Sequence, residues 1–108
     1  MAYKETADYV MDQLSGVDGV RSLPMMGGWL FYIHDRVFGG IFDSGNVLVK
    51  ITEASRKYMP DAETELNYEG GRDMLVATIL DDREKFAAMV REMESELPQV
   101  KPRKRKKA

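Results

Sequence analysis

A single histidine, His34, and no cysteine are what this chain of 108 residues offers to the commonest side-chain chemistries. Without cysteine there is no thiol nucleophile, no Cys-based zinc site and no disulfide framework. His34 adjoins Asp35, but neighbouring residues on a strand point to opposite sides, so the pair reads as a solvated turn rather than a catalytic dyad. Ser15, Ser22, Ser44, Ser55 and Ser95 lack the glycine-flanked context of a nucleophile elbow. The carboxylates of Asp81, Asp82 and Glu84 cluster where a helix begins, a place that attracts acidic residues through its dipole and its free N–H groups. These observations assign no catalytic residue, no metal ligand and no cofactor-binding residue.

Three glycine pairs, Gly27-Gly28, Gly39-Gly40 and Gly70-Gly71, each look like a fragment of a phosphate-cradling loop. None continues from a strand into a helix with the required spacing. Gly27-Gly28 precedes a strand, Gly39-Gly40 interrupts one as a bulge or a close backbone approach, and Gly70-Gly71 is a turn. Binding is better indicated in two other places. Met25, Met26, Gly27, Gly28 and Trp29 combine adaptable methionines with an aromatic ring, a composition suited to a protein-contact surface. Lys101, Arg103, Lys104, Arg105, Lys106 and Lys107 form a basic run that can neutralise phosphates. That run has no aromatic residue for base stacking, so its nucleic-acid binding is expected to be weak and sequence-independent.

The elements that carry these residues follow from periodicity. Tyr3, Ala7, Val10, Leu14 and Val17 form the apolar stripe of a helix over about Lys4–Ser15, with Gly16 expected to stop it in a left-handed conformation. Trp29–Ile33, Arg36–Phe42 and Val47–Ile51 are strand-like runs joined by His34-Asp35 and by Asp43–Asn46, which predicts an antiparallel meander within the stretch from Val20. In the third run Lys50 falls on the more polar face. Thr52 is placed to cap a short helix that ends before Pro60. Leu66–Glu69 and Met74–Ile79 read as a second hairpin. The last helix is expected to start at Asp81 with Glu84 in a capping-box-like position. It would bury Phe86, Met89, Val90, Met93 and Leu97, and end at Pro98. The expected fold is a two-layer α+β domain, an antiparallel sheet of about five to six strands with the N- and C-terminal helices packed on one face.

Length supports one domain, residues 1–98, followed by a basic disordered tail, residues 99–108. The formal charge of −2 divides unevenly: 10 basic and 18 acidic residues in positions 1–100 give a body of −8, and the tail carries six basic groups. No apolar run approaches the roughly 20 residues that cross a bilayer. The start of the chain lacks a basic-then-apolar leader, so a cytoplasmic location without membrane association is expected.

Several stretches together resemble one family. Arg21 to Tyr32, with Pro24-Met25-Met26-Gly27-Gly28-Trp29 at its centre, is similar to the Arg-x-Met-Phe-Gly-Gly-Tyr segment in the N-terminal domain of TfoX/Sxy competence regulators, with Met26 in place of Phe. Gly40-Ile41-Phe42-Asp43, Val47 to Thr52, Asn67 to Gly70 and the ending Glu96-Leu97-Pro98 before a Lys-rich tail also match, so the resemblance runs from about residue 5 to residue 97 and is to short, single-domain members. It implies an α+β domain with an antiparallel sheet, and a part in the transcriptional control of DNA uptake through a protein partner of the transcription machinery. It brings no catalytic residues with it. The leading expectation is therefore a non-enzymatic binding module that works through protein contact, with homodimerisation through an open sheet edge also compatible. Two alternatives remain: a nucleic-acid accessory protein acting through the tail, and a small-molecule binder or enzyme with a pocket between helices and sheet.

Overall fold

The computed structural model describes residues 3–25, 27–67 and 71–98. A first helix, α1 (Lys4–Gln13), leads into four strands, β1 (Val20–Met25), β2 (Gly28–Ile33), β3 (Arg36–Ile41) and β4 (Val47–Val49). A short helix, α2 (Glu53–Tyr58), crosses to β5 (Thr64–Leu66) and β6 (Asp73–Val76), and α3 (Arg83–Met93) closes the order with a 3-10 turn at Glu94–Glu96. The six strands form one antiparallel sheet in the order β1-β2-β3-β4-β6-β5. Strands β2, β3 and β4 are the expected three-run meander, and β1 adds a fourth strand at its edge. The last hairpin enters the other way round, so that β6 pairs β4 and β5 becomes an edge.

One core joins the helices to one face of this sheet. Ala7 and Val10 of α1 with Leu14 just after it, Ala54 of α2 with Met59 just after it, and Phe86, Met89, Val90 and Met93 of α3 meet Trp29, Phe31, Ile33, Ile41, Val47, Val49 and Leu75. The stripes read from the helical periodicity are therefore the buried ones, except for Tyr3, which is exposed at the start of α1. In β2 the buried Trp29, Phe31 and Ile33 alternate with the half-buried Leu30 and Tyr32, as one covered face requires.

The differences lie at element boundaries. Helix α1 ends at Gln13, and Gly16 is not in the left-handed region; Gly19, at φ 80°, makes the turn into β1 instead. Asp82 rather than Asp81 caps α3, its carboxylate accepting the Lys85 N–H at 3.1 Å. Asp81 is drawn off by a tertiary partner, the Tyr9 hydroxyl. The capping box sits on α2, where Thr52 Oγ1 accepts the Ser55 N–H and Ser55 Oγ accepts the Thr52 N–H. Ser55 is fully buried and also donates to the Lys50 carbonyl, so the cap ties the helix to the end of β4. Strand β4 stops at Val49 and β6 at Val76, each shorter than the apolar runs suggest. Of the second hairpin, β5 lies earlier than expected, at Thr64–Leu66, while Tyr68, Glu69 and Gly70 lie outside the described residues.

Helices α2 and α3 are clamped at the surface by Glu92, which accepts from Lys57 Nζ at 2.6 Å and from the Tyr58 hydroxyl. Lys57 first and Tyr58 second hold the Glu92 carboxyl below its usual range. A depressed folded-state carboxyl contributes stability above the unfolded-state value, and that contribution is lost as pH falls through the lower folded value. Glu92→Gln is expected to flatten the acid limb of the stability curve through the ordinary glutamate range and below it, with a small amplitude because the group is exposed. Urea melts across that range check it, and an unchanged acid limb would place the acid sensitivity elsewhere.

Candidate functional site

The segment singled out as a contact surface divides once folded. Met25 is exposed at the end of β1, an edge strand in which Pro24, lacking an N–H, is tolerated. Gly27 turns the chain at φ 83°. Gly28 is buried, and a Cβ there would come within 2.1 Å of the Ile41 carbonyl oxygen. Trp29 is only 8% exposed and belongs to the core. Met26 lies outside the described residues. The outward part of the segment is therefore Met25 with Gly27, and the tryptophan holds the scaffold instead.

Strand register shows what accompanies Met25. Leu23, Leu30, Gly40, Leu48 and Val76 are successive cross-strand partners from β1 to β6. Alternation puts this row on the face away from the helices. Near its middle the row is closed: the Phe42 ring lies over Gly40, and Leu48 is fully buried although it stands outside the helix-covered core. Toward β1 the row opens. Leu23 is 42% exposed and Met25 36% exposed, flanked by half-buried Leu30 and Tyr32. Arg21 lies over the Tyr32 ring, 4.5 Å from its centroid, and pairs with Asp35 at 3.1 Å, giving the patch a charged border. An apolar centre with a polar rim is the anatomy of a protein-contact surface.

A second feature lies at the far end of the sheet. Lys50, Thr52, Asn67, Arg72, Asp73 and Glu96 contribute the polar lining of a groove of about 670 Å³, with Ile51, Met74 and Leu97 as its apolar walls. Lys50 is half-buried, because it leaves β4 directly after three buried residues. Burial first and Arg72 second hold its ammonium below the usual lysine range. Glu96 spends both carboxylate oxygens on the N–H groups of Glu53 and Ala54, at 2.8 and 3.0 Å. In the sequence Lys50 is only a polar position in an apolar strand and Arg72 a residue of a turn. The one available signal for the pair was a lone lysine inside Val-Leu-Val-Lys-Ile.

His34 and Asp35 both have positive φ, 47° and 67°, as the two central residues of a tight hairpin turn. His34 is more than solvated: its Nδ1 lies 2.9 Å from Glu94 Oε2, and Arg36 donates to the Glu94 carbonyl at 2.8 Å, so the turn is pinned to the end of α3. No group of three or more His, Cys, Asp or Glu among the described residues is arranged to hold a metal ion. No helix among them is long and apolar enough to cross a membrane. Lys101, Arg103, Lys104, Arg105, Lys106 and Lys107 lie outside the described residues.

Comparison with known proteins gives one informative relationship. The chain is 32% identical over 101 residues to an uncharacterized 12.7 kDa protein in trpE 5'region of Spirochaeta aurantia, a span covering 93% of this chain and 87% of that protein. No family model matches the chain, and no solved structure matches it significantly.

Proposed function

This chain belongs to the same family as the Spirochaeta aurantia 12.7 kDa protein, and we propose that it is a non-enzymatic binding module that docks a protein partner on the open β1–β2 end of its sheet. The observation that carries this reading is the exposure of Leu23 and Met25 beside half-buried Leu30 and Tyr32, on a face that no helix among the described residues covers. Apolar side chains gathered at one end of a sheet, with Arg21 and Asp35 at the border, gain from burial against a partner in proportion to the area covered. The resemblance of Arg21 to Tyr32 to the TfoX/Sxy segment supports a partner from the transcription machinery, since the resembling stretch includes β1 and β2 themselves.

Leu23→Lys with Met25→Lys tests it. Both side chains are exposed, so folding stability should move by no more than about 1 kcal/mol. Crosslinking in cells from a photoreactive side chain at position 23 should recover a regulatory protein, and the double variant should lose that partner. Recovery of the same proteins by parent and variant would remove this surface from consideration. Light scattering separates the case in which the partner is a second copy of this chain.

A further inference from the structure

We propose that Pro24 and Arg21 close the β1 edge of the sheet to an added strand, that of a second copy of this chain included, so that a partner reaches the contact surface from its face alone. The phase of the ladder carries the first step. Val20 to Met25 oppose Ile33 to Gly28, and the His34 N–H donates to the Gly19 carbonyl at 2.9 Å in the same register. Antiparallel bonds join every second opposed pair, so Arg21, Leu23 and Met25 share the phase of Gly19 and turn their backbone groups toward β2. Val20, Ser22 and Pro24 turn theirs outward. The two-residue turn at His34-Asp35 gives the same phase, because it closes on Ile33 and Arg36 and leaves Ile33 bonded to β3 rather than to Val20.

Proline therefore stands where its missing N–H faces away from the sheet. Its Cδ takes the place of the amide hydrogen, at the point where a neighbouring strand would bring a carbonyl oxygen. Strand β1 is six residues long and has β2 as its one neighbour among the described residues, so Pro24 leaves it only the outward N–H groups of Val20 and Ser22. The opposite edge reaches the same number by being short. Val76 donates to the Glu63 carbonyl and Asn67 to the Arg72 carbonyl, which leaves Thr64 and Leu66 as the outward residues of the three-residue β5. A short edge and a proline both deny another strand its template.

Two-fold pairing of β1 with a second copy shows why Arg21 belongs to the device. An axis at Ser22 sets each Pro24 ring against the carbonyl of the second copy's Val20. An axis at Leu23 sets it against the carbonyl of the second copy's Ser22. An axis at Arg21 clears both rings and keeps the bonds of Val20 and Ser22. It opposes two arginines directly, however, in a non-hydrogen-bonded pair, where side chains stand closest and like charges repel. Arg21 is held on this face by the Tyr32 ring, 4.5 Å from its centroid, and by Asp35. Without these two residues the exposed Leu23 and Met25 would make the edge adhesive. What remains for a partner is the face, where it contributes side chains rather than a further strand. That last step rests on the contact-surface reading; the closure of the edge does not.

The full chain tests both steps. Amide exchange should be at least about tenfold slower at Arg21 and Leu23, whose N–H groups lie in the ladder, than at Val20 and Ser22. Pro24→Val restores the third outward donor. Light scattering should then show a mass that rises toward the dimer with concentration, the association being at least about tenfold tighter than in the parent. Adding Ser22→Pro to that variant should return it to a monomer. In the parent background Ser22→Pro should keep the partner crosslinked from position 23, since a face contact does not use the Ser22 N–H. Equal protection of Ser22 and Arg21, a Pro24→Val mass that matches the parent at every concentration, or loss of the crosslinked partner by folded Ser22→Pro would each overturn the proposal. Failure of the contact-surface reading shows separately, as no partner crosslinked from position 23 in the parent while the exchange and mass results stand.

Discussion

Phe38→Ala is expected to destabilise the protein by about 3–5 kcal/mol, enough to lower the melting midpoint by more than about 12 °C. The ring is completely buried and stacks on Phe31, with centroids 6.0 Å apart and planes 24° from parallel. It reaches that position through an irregularity. Tyr32 pairs Val37 and Phe31 pairs Gly39, so Phe38 is an extra residue in β3. Strict alternation would place Phe38 with Gly40, on the face away from the helices; the bulge re-aims it into the core. Truncation therefore leaves a void beneath a kinked strand that cannot readily close. Against the 5–15 kcal/mol typical of a small domain, such a loss approaches unfolding. Thermal and urea melts measure it, and a midpoint within about 3 °C of the parent would show that the ring is not packed as described.

Gly39→Ala is expected to cost about 3 kcal/mol or more, at the upper end of what overpacking does, because the obstacle is backbone. A Cβ on Gly39 would stand 2.2 Å from the Leu48 carbonyl oxygen and 3.1 Å from the Val49 Cα, and neither atom belongs to a side chain that can swing aside. Strands β3 and β4 would have to separate, and with them the register that sets Gly40 against Leu48. Gly16→Ala is the matched control. Nothing lies within 4 Å of the position its methyl group would take, and its backbone is not left-handed, so stability should stay within about 0.5 kcal/mol of the parent or rise slightly. Comparable losses at both positions would show that backbone freedom, rather than strand contact, accounts for the Gly39 effect.

The particulars of α3 show how far sequence reading reaches. Its buried stripe, Phe86, Met89, Val90 and Met93, is legible because 3.6-residue periodicity is a property of the segment alone, whereas Leu97, expected on the same helix, is buried from beyond the 3-10 turn that follows the end of α3 at Met93. Its cap is displaced by one residue, since both Asp81 and Asp82 satisfy the local rule and only Tyr9, from a distant helix, separates them. The contact segment behaves the same way. Met25 and Trp29 look equivalent in a list of surface-adapted residue types, but β2 alternation turns Trp29 into the core and leaves Met25 outside.

By itself the sequence determined the α+β class, the antiparallel meander, the helix faces and the turn at His34-Asp35. Each depends on interactions within a few residues of chain or on apolar periodicity. Tertiary structure alone decided that β6 rather than β5 lies against β4, that a bulge sends Phe38 inward, and that Lys50 and Arg72 line one groove. These are pairings between segments distant in sequence. Their register is chosen by the packing of the whole sheet, which no local pattern records.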